Sequence, residues 1–297
     1  SITQAGLTVT ADAGQGKVYG SADPTLTYSI SGFVNGDTES DLDTSVMISR
    51  AAGEDVGDYA ITTSGATDAN YTISFVGSTF SITQAGLTVT ADAGQGKVYG
   101  AIDPVLSYTI TGFQGTDNEA SLDTGVTIFR VAGENVGDYT ITPSGAADSN
   151  YSVSFVTSIF TITPAGLTVT ADAGLSKVYG TVDPTLTYMI TGFQGADTEA
   201  DLDTPVMIAR VAGEDVGAYT ITPSGASDSN YSISFVESTF EITQAALLVT
   251  ADGGFSKVYG TTDPIFTYVI TGFIGTDNEA SLDTPVSISR AAGEDVG

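Results

Sequence analysis

The chain has 297 residues, 36 acidic and 8 basic, a formal charge of -28, and no Cys, His or Trp. This inventory excludes a thiol or imidazole nucleophile, a disulfide and a zinc centre of the Cys/His kind. It also sets the chain against phosphate backbones and anionic lipid, so neither nucleic-acid binding nor membrane insertion is expected. The 41% hydrophobic content, with 14 Tyr and 13 Phe, belongs to a folded protein, not to a disordered acidic tail.

The stretch SITQAGLTVTADAGQGKVYG opens at Ser1 and recurs letter for letter at Ser81. Close variants return at Thr161 and Glu241, so the period is 80 residues, three times over, with 57 residues of a fourth copy. Because 80 residues is enough for a small domain to bury its own core, the repeat predicts a tandem array of separate domains and not a stacked solenoid. Residues 1–4 read as the last strand of a preceding copy. The repeats then occupy 5–84, 85–164, 165–244 and 245–297, with the fourth lacking the counterparts of residues 58–80. A junction only about three residues long predicts neighbouring domains in contact, arranged end to end as a semi-rigid rod.

Along the first repeat the hydrophobic period is two. Leu7, Val9 and Ala11 alternate with Thr8 and Thr10, and Leu26, Tyr28 and Ile30 alternate with Thr and Ser. Asp37 to Leu42 is the best candidate for a helical turn, with Asp37 as cap and Leu42 pointing inward. Val46 and Ile48, then Tyr59 and Ile61, then Tyr71, Ile73 and Phe75 resume the alternation, and Phe80 with Ile82 ends it. The apolar set changes parity after Phe75, which predicts a tight hairpin at Gly77-Ser78 or a bulge. Turn pairs such as Asp23-Pro24 and Asn35-Gly36 separate the segments. The fold class is mainly β: small domains built as a sandwich or a β-grasp-like sheet, each with one short helical turn. On this parity Tyr and Phe belong to the core. Phe129 is the exception, on the outward parity where the other copies have Ser49, Ala209 and Ser289, and it is a candidate contact residue.

Several motifs keep a fixed order: Lys17-Val-Tyr-Gly20, Asp23-Pro24, Gly36-Asp37-x-Glu39, and Arg50 through Gly53-Glu54 to Val56-Gly57-x-Tyr59. In these motifs the chain resembles the MBG ("mostly beta, glycine-rich") domains that occur as tandem arrays in large bacterial surface and secreted proteins. The resemblance covers the three complete copies and the available part of the fourth. It implies an extracellular adhesin or matrix stalk without catalytic activity, and it carries no agreed ligand residues.

Three constellations remain as candidate sites. Asp37, Glu39 and Asp43 recur as Asp117, Glu119 and Asp123, as Asp197, Glu199 and Asp203, and as Asp277, Glu279 and Asp283; clustered hard oxygens near a glycine suit Ca²⁺. Against that stand a solvated, capped acidic turn and weak, diffuse cation binding by the whole acidic surface. Lys17 with Asn70, Lys97 with Asn150 and Lys177 with Asn230 supply the residue types of an intramolecular isopeptide bond. The same asparagines open Asn-x-Ser/Thr sequons. Arg50 lies just before Glu54 and Asp55, and a lone arginine in every copy predicts a structural role, either as a surface ion pair worth only about 0–1 kcal/mol or as a buried guanidinium tying loop carbonyls. Lys17 is assigned the same role. The expected function is a stalk or filament segment whose partners are the neighbouring repeats and other copies in a filament. The alternatives are a repeated module binding a glycan or protein, or a polymer formed by strand exchange between chain ends.

Overall fold

The computed structural model describes residues 1–297. The alternation seen in the sequence becomes two packed sheets in each complete repeat. In the first, β1 (Ala5–Ala11), β2 (Gln15–Val18), β3 (Tyr28–Ser31), β4 (Met47–Arg50), β5 (Gly57–Ser64), β6 (Tyr71–Val76) and β7 (Ser78–Thr83) follow in order. One sheet has the order β3-β1-β6 and the other β2-β7-β5-β4. Both contain a parallel pair: β1 with β6, from Ala5↔Tyr71 to Thr10↔Val76, and β2 with β7, from Gln15↔Phe80 to Val18↔Thr83. The pairs β1/β3, β4/β5 and β5/β7 are antiparallel. The architecture is therefore a small sandwich, which settles the choice against a single β-grasp-like sheet.

The core lies between the sheets. Ala11 of β1 packs with Ile61 of β5 and Phe80 and Ile82 of β7, all buried, and Leu7 and Val9 of β1 are fully buried as well. The parity change after Phe75 is neither a hairpin nor an ordinary bulge. At Gly77 the chain leaves one sheet as β6 and enters the other as β7, so the inward face is reset at the crossing. Phe75 itself is a correction to the sequence reading. It and its counterparts Phe155 and Phe235 are exposed, because the edge strand β6 runs out of the core as it approaches that crossing. Ser1–Gln4 form no strand; their counterparts Ser81–Thr83 are held in β7 by β5, a partner that residues 1–4 do not have.

The β2 strand lacks alternation and was not predicted. Gln15 sets it in place: its side-chain amide donates to the carbonyls of Asp12 and Thr27 and accepts from the Thr27 N–H. Where Leu175 replaces this glutamine, the strand starts one residue later.

The second repeat reproduces this plan as β8 (Ala85–Ala91), β9 (Gln95–Val98), β10 (Tyr108–Thr111), β11 (Thr127–Arg130), β12 (Gly137–Ser144), β13 (Tyr151–Val156) and β14 (Ser158–Thr163). The third has β15 (Ala165–Ala171), β16 (Ser176–Val178), β17 (Tyr188–Thr191), β18 (Met207–Arg210), β19 (Gly217–Ser224), β20 (Tyr231–Val236) and β21 (Ser238–Thr243). In the fourth, β22 (Leu248–Ala251) pairs with β23 (Tyr268–Thr271), and Leu247 and Val249 are exposed where their counterparts in the other repeats are buried. By contacts the chain forms two compact units: Ser1–Lys97 with Ala101–Thr163, and Val98–Gly100 with Pro164–Gly297.

The helical turn is a single 3-10 turn, Glu39–Asp41, capped by Thr38 and not by Asp37. Asp41 accepts from the Thr38 N–H and hydroxyl, and these bonds hold its carboxyl below the usual range. In repeats two and four Asn118 and Asn278 cap the turn while Ser121 and Ser281 take the acceptor role. The Asp/Ser variation at this position is thus an exchange between two versions of the capping box.

Candidate functional site

Each repeat concentrates its charge chemistry in one cluster. In the second repeat, Lys97 on β9 pairs with Asp103 at 2.8 Å and with Glu134. Arg130, the last residue of β11, forks onto Asp103 (Nε to Oδ2 2.6 Å, Nη2 to Oδ1 3.0 Å) and reaches Glu134 at 2.8 Å. Its Nη1 donates to the carbonyls of Val131 and Gly133. The guanidinium carbon lies 5.3 Å from the centre of the Tyr139 ring and 4.9 Å from that of Phe160. The predicted structural role of Arg50 is seen in the same form, with the carbonyls of Ala51 and Gly53 as acceptors. The Asp23 carboxylate completes the first cluster, a role its Asp-Pro turn motif does not signal.

The two cations hold Asp103 well below the ordinary carboxylate range, at about 2, with the Arg130 hydrogen bonds as the main cause and Lys97 second. The carboxylates in turn raise Lys97 and Arg130. The Lys97 and Arg130 side chains are only 4% and 8% exposed, whereas Glu134 is 67% exposed. Lys17 with Arg50 and Lys177 with Arg210 repeat the arrangement. In the fourth repeat, Lys257 and Arg290 keep the same partners but are less covered. These eight residues are all the Lys and Arg of the chain, so the outward-facing charge is almost entirely carboxylate.

The isopeptide proposal fails on this geometry. Lys17, Lys97 and Lys177 have carboxylate partners, and the Asn150 amide is bonded instead to Val56 and Asp55. The lysine strand belongs to the four-stranded sheet, while the asparagine opens the edge strand of the other sheet.

The carboxylates put forward for calcium are likewise not brought together, and no group of three converges as a metal site. Glu39 accepts from the Tyr28 hydroxyl, Asp43 from the Ala69 N–H and Asp37 from the Tyr71 hydroxyl. Glu119, Asp123, Glu199, Asp203 and Glu279 repeat these separate engagements. Asp283, the counterpart of Asp43, is not brought into any such group.

The Asp37 series instead marks where consecutive repeats meet. Asp117 accepts two hydroxyls on one oxygen, from Tyr151 at 2.6 Å and from Tyr19 of the preceding repeat at 3.0 Å. The Tyr19 and Tyr151 rings stack edge to face with centroids 5.4 Å apart, over Ala85 and Leu87. Asn150 adds two bonds, accepting from the Val56 N–H at 2.8 Å and donating to Asp55. Gly20 has φ +76°, and a Cβ there would lie 2.4 Å from the Cβ of Gln114, so the junction requires glycine. In the second unit Tyr99 stacks on Tyr231 and donates to Asp197, and Gly100 faces Gln194. Tyr179 donates to Asp277. Tyr259, which has no such partner in this chain, is 70% exposed.

Burial, helped by the Asp117 bond, pushes the Tyr151 phenol up to about 12, and Tyr231 behaves likewise. A phenol that keeps its proton longer when folded stabilises the fold fully below its ordinary value near 10. That contribution is lost as pH rises from 10 towards 12. In an ultraviolet tyrosinate titration, Tyr151 and Tyr231 are therefore expected to ionise as a late group near 12. Loss of near-ultraviolet circular dichroism should accompany the late group. One unresolved wave near 10 would contradict the junction as described.

The sequence matches the description "MBG domain (YGX type)" over residues 7–81, 87–161, 167–241 and 247–297, and the chain belongs to that family. Its Tyr-Gly steps, Tyr19-Gly20, Tyr99-Gly100 and Tyr179-Gly180, are the junction residues just described. No curated protein matches the chain. Among solved structures, it is similar to three N-terminal domains of the bacteriophage RB49 highly immunogenic outer capsid protein (14% identity, TM-score 0.25, covering 73% of this chain and 93% of that one). It is also similar to Drosophila N-cadherin EC1-3 (11%, 0.19, 65% and 79%) and to Sidekick-1 immunoglobulin domains 1–5 (12%, 0.22, 84% and 57%). Scores this low carry no inference about function.

Proposed function

We infer that the chain is a spacer: a segment of a large extracellular bacterial adhesin or matrix protein whose repeats supply length and perform no reaction. The observation that supports this most is the use of the polar residues. The Lys, Arg, Asp and Tyr groups of the charge clusters and junctions are committed to holding a repeat together or to joining it to the next. Membership of the MBG family supports the placement on a bacterial surface. No helix is long and apolar enough to cross a membrane. Calcium enters this reading as a diffuse counterion of the acidic surface, and other copies of the chain as neighbours in a filament.

The test is small-angle X-ray scattering on the chain and on a variant lacking residues 85–164. Each repeat adds about 30–40 Å, given strands of ~17–20 Å plus their loops. The deletion is therefore expected to shorten the maximum dimension by one such step. An unchanged maximum dimension would overturn the spacer reading, and a molecular mass of several chains would point to strand exchange instead.

A further inference from the structure

Near-identity of the repeats makes any departure conspicuous, and one that gathers three apolar side chains on a sheet face lies on the four-stranded sheet of repeat two. In register, Phe129 stands opposite Thr142, Thr140 opposite Ile159, and Asp138 opposite Thr161. The adjacent inward residues Ile141 and Phe160 are fully buried, so these six side chains share the outward face. Val131 continues the same face two residues after Phe129, and its N–H bonds to the Thr140 carbonyl. Phe129, Val131 and Ile159 are 53%, 51% and 47% exposed. Thr142 beside Phe129 is half-buried, where Thr62 and Thr222 are exposed. The first repeat has Ser49, Ala51 and Thr79 at the apolar positions; the third has Ala209, Val211 and Thr239. No folding requirement explains a phenylalanine and an isoleucine here, because sister domains form the same sheet without them.

We propose that this face docks a foreign polypeptide with an apolar centre and lysine- or arginine-bearing flanks. The commitment to a cationic partner rests on charge. Asp138 closes the patch on one side, bonded to Thr161, and in the first three repeats the basic side chains are 9% exposed or less. The surroundings of the patch are therefore anionic, and a second copy of this chain would be repelled. Apolar contact at the centre supplies location, and complementary charge at the rim supplies steering and choice of partner.

The test uses the full chain and the double variant Phe129→Ser with Ile159→Thr. This variant restores residues that the first repeat carries in the same sheet, so it folds. The probe is a labelled peptide Lys-Val-Lys-Phe-Lys-Val-Lys in about 0.15 M salt, where diffuse attraction is screened. The expected result is one saturable site per chain, weakened tenfold or more in the double variant, and no binding of the peptide with Glu in place of Lys. Equal binding to both proteins, no saturable site, or equal binding of the acidic peptide would overturn the proposal. So would self-association of the parent chain, seen by sedimentation equilibrium and absent from the variant.

Discussion

Replacing Phe160 by alanine is expected to destabilise the second repeat by about 3–5 kcal/mol, the usual range for deleting a buried aromatic ring. Phe160 is fully buried and stands opposite Tyr139 in the sheet. The Arg130 guanidinium also lies against its face. The lost volume therefore removes apolar burial and one wall of the charge cluster together. Urea denaturation followed by hydrogen exchange should show residues 85–163 losing protection ahead of 165–243. Coincident loss in both repeats at the parent midpoint would show that the core is not partitioned repeat by repeat.

Arg130→Ala is the second large effect, roughly 2–3 kcal/mol. This lies between the ~0–1 of an exposed pair and the about 3–5 of breaking a buried one, because the arginine is covered while its carboxylate partners are partly solvated. The loss includes the carbonyl bonds to Val131 and Gly133 as well as the fork on Asp103. Arg130→Lys should recover only part of it, since an ammonium cannot reproduce the planar fork. Asp103 gives the pH dependence: its folded value of about 2 lies below its ordinary 3.8. Its stabilisation is therefore present above pH 4 and is lost as pH falls towards 2. Acid titration of Arg130→Ala should show a shallower loss of stability over that window than the parent chain. An identical acid profile would remove Arg130 as the main cause of the shift.

The strands whose apolar residues alternate, such as β1 and β5, could be read from the residues, and so could a structural role for Arg50, whose carbonyl acceptors are local. What escaped was set by partners distant in sequence. Asp23 meets Arg50 across 27 residues and Tyr19 meets Asp117 across 98, and no local pattern announces either pairing. The β2 strand escaped because Gln15-Gly16-Lys17-Val18 has no period; it is a strand only because β7 lies beside it. Clustered carboxylates resembled a cation site because spacing along the chain does not reveal which hydroxyl or N–H each will find. The exposure of Phe75 follows from a change of sheet that parity alone cannot distinguish from a hairpin.

The two parallel pairs decide how a repeat answers a pull along the chain. Tension drags β1 towards its own start and, through β7, drags β6 towards its end. Because β1 and β6 run the same way over six residue pairs, they are sheared past each other and their hydrogen bonds resist together instead of unzipping singly. The β2/β7 pair is loaded in the same sense, so each complete repeat meets stretching with two clamps in parallel.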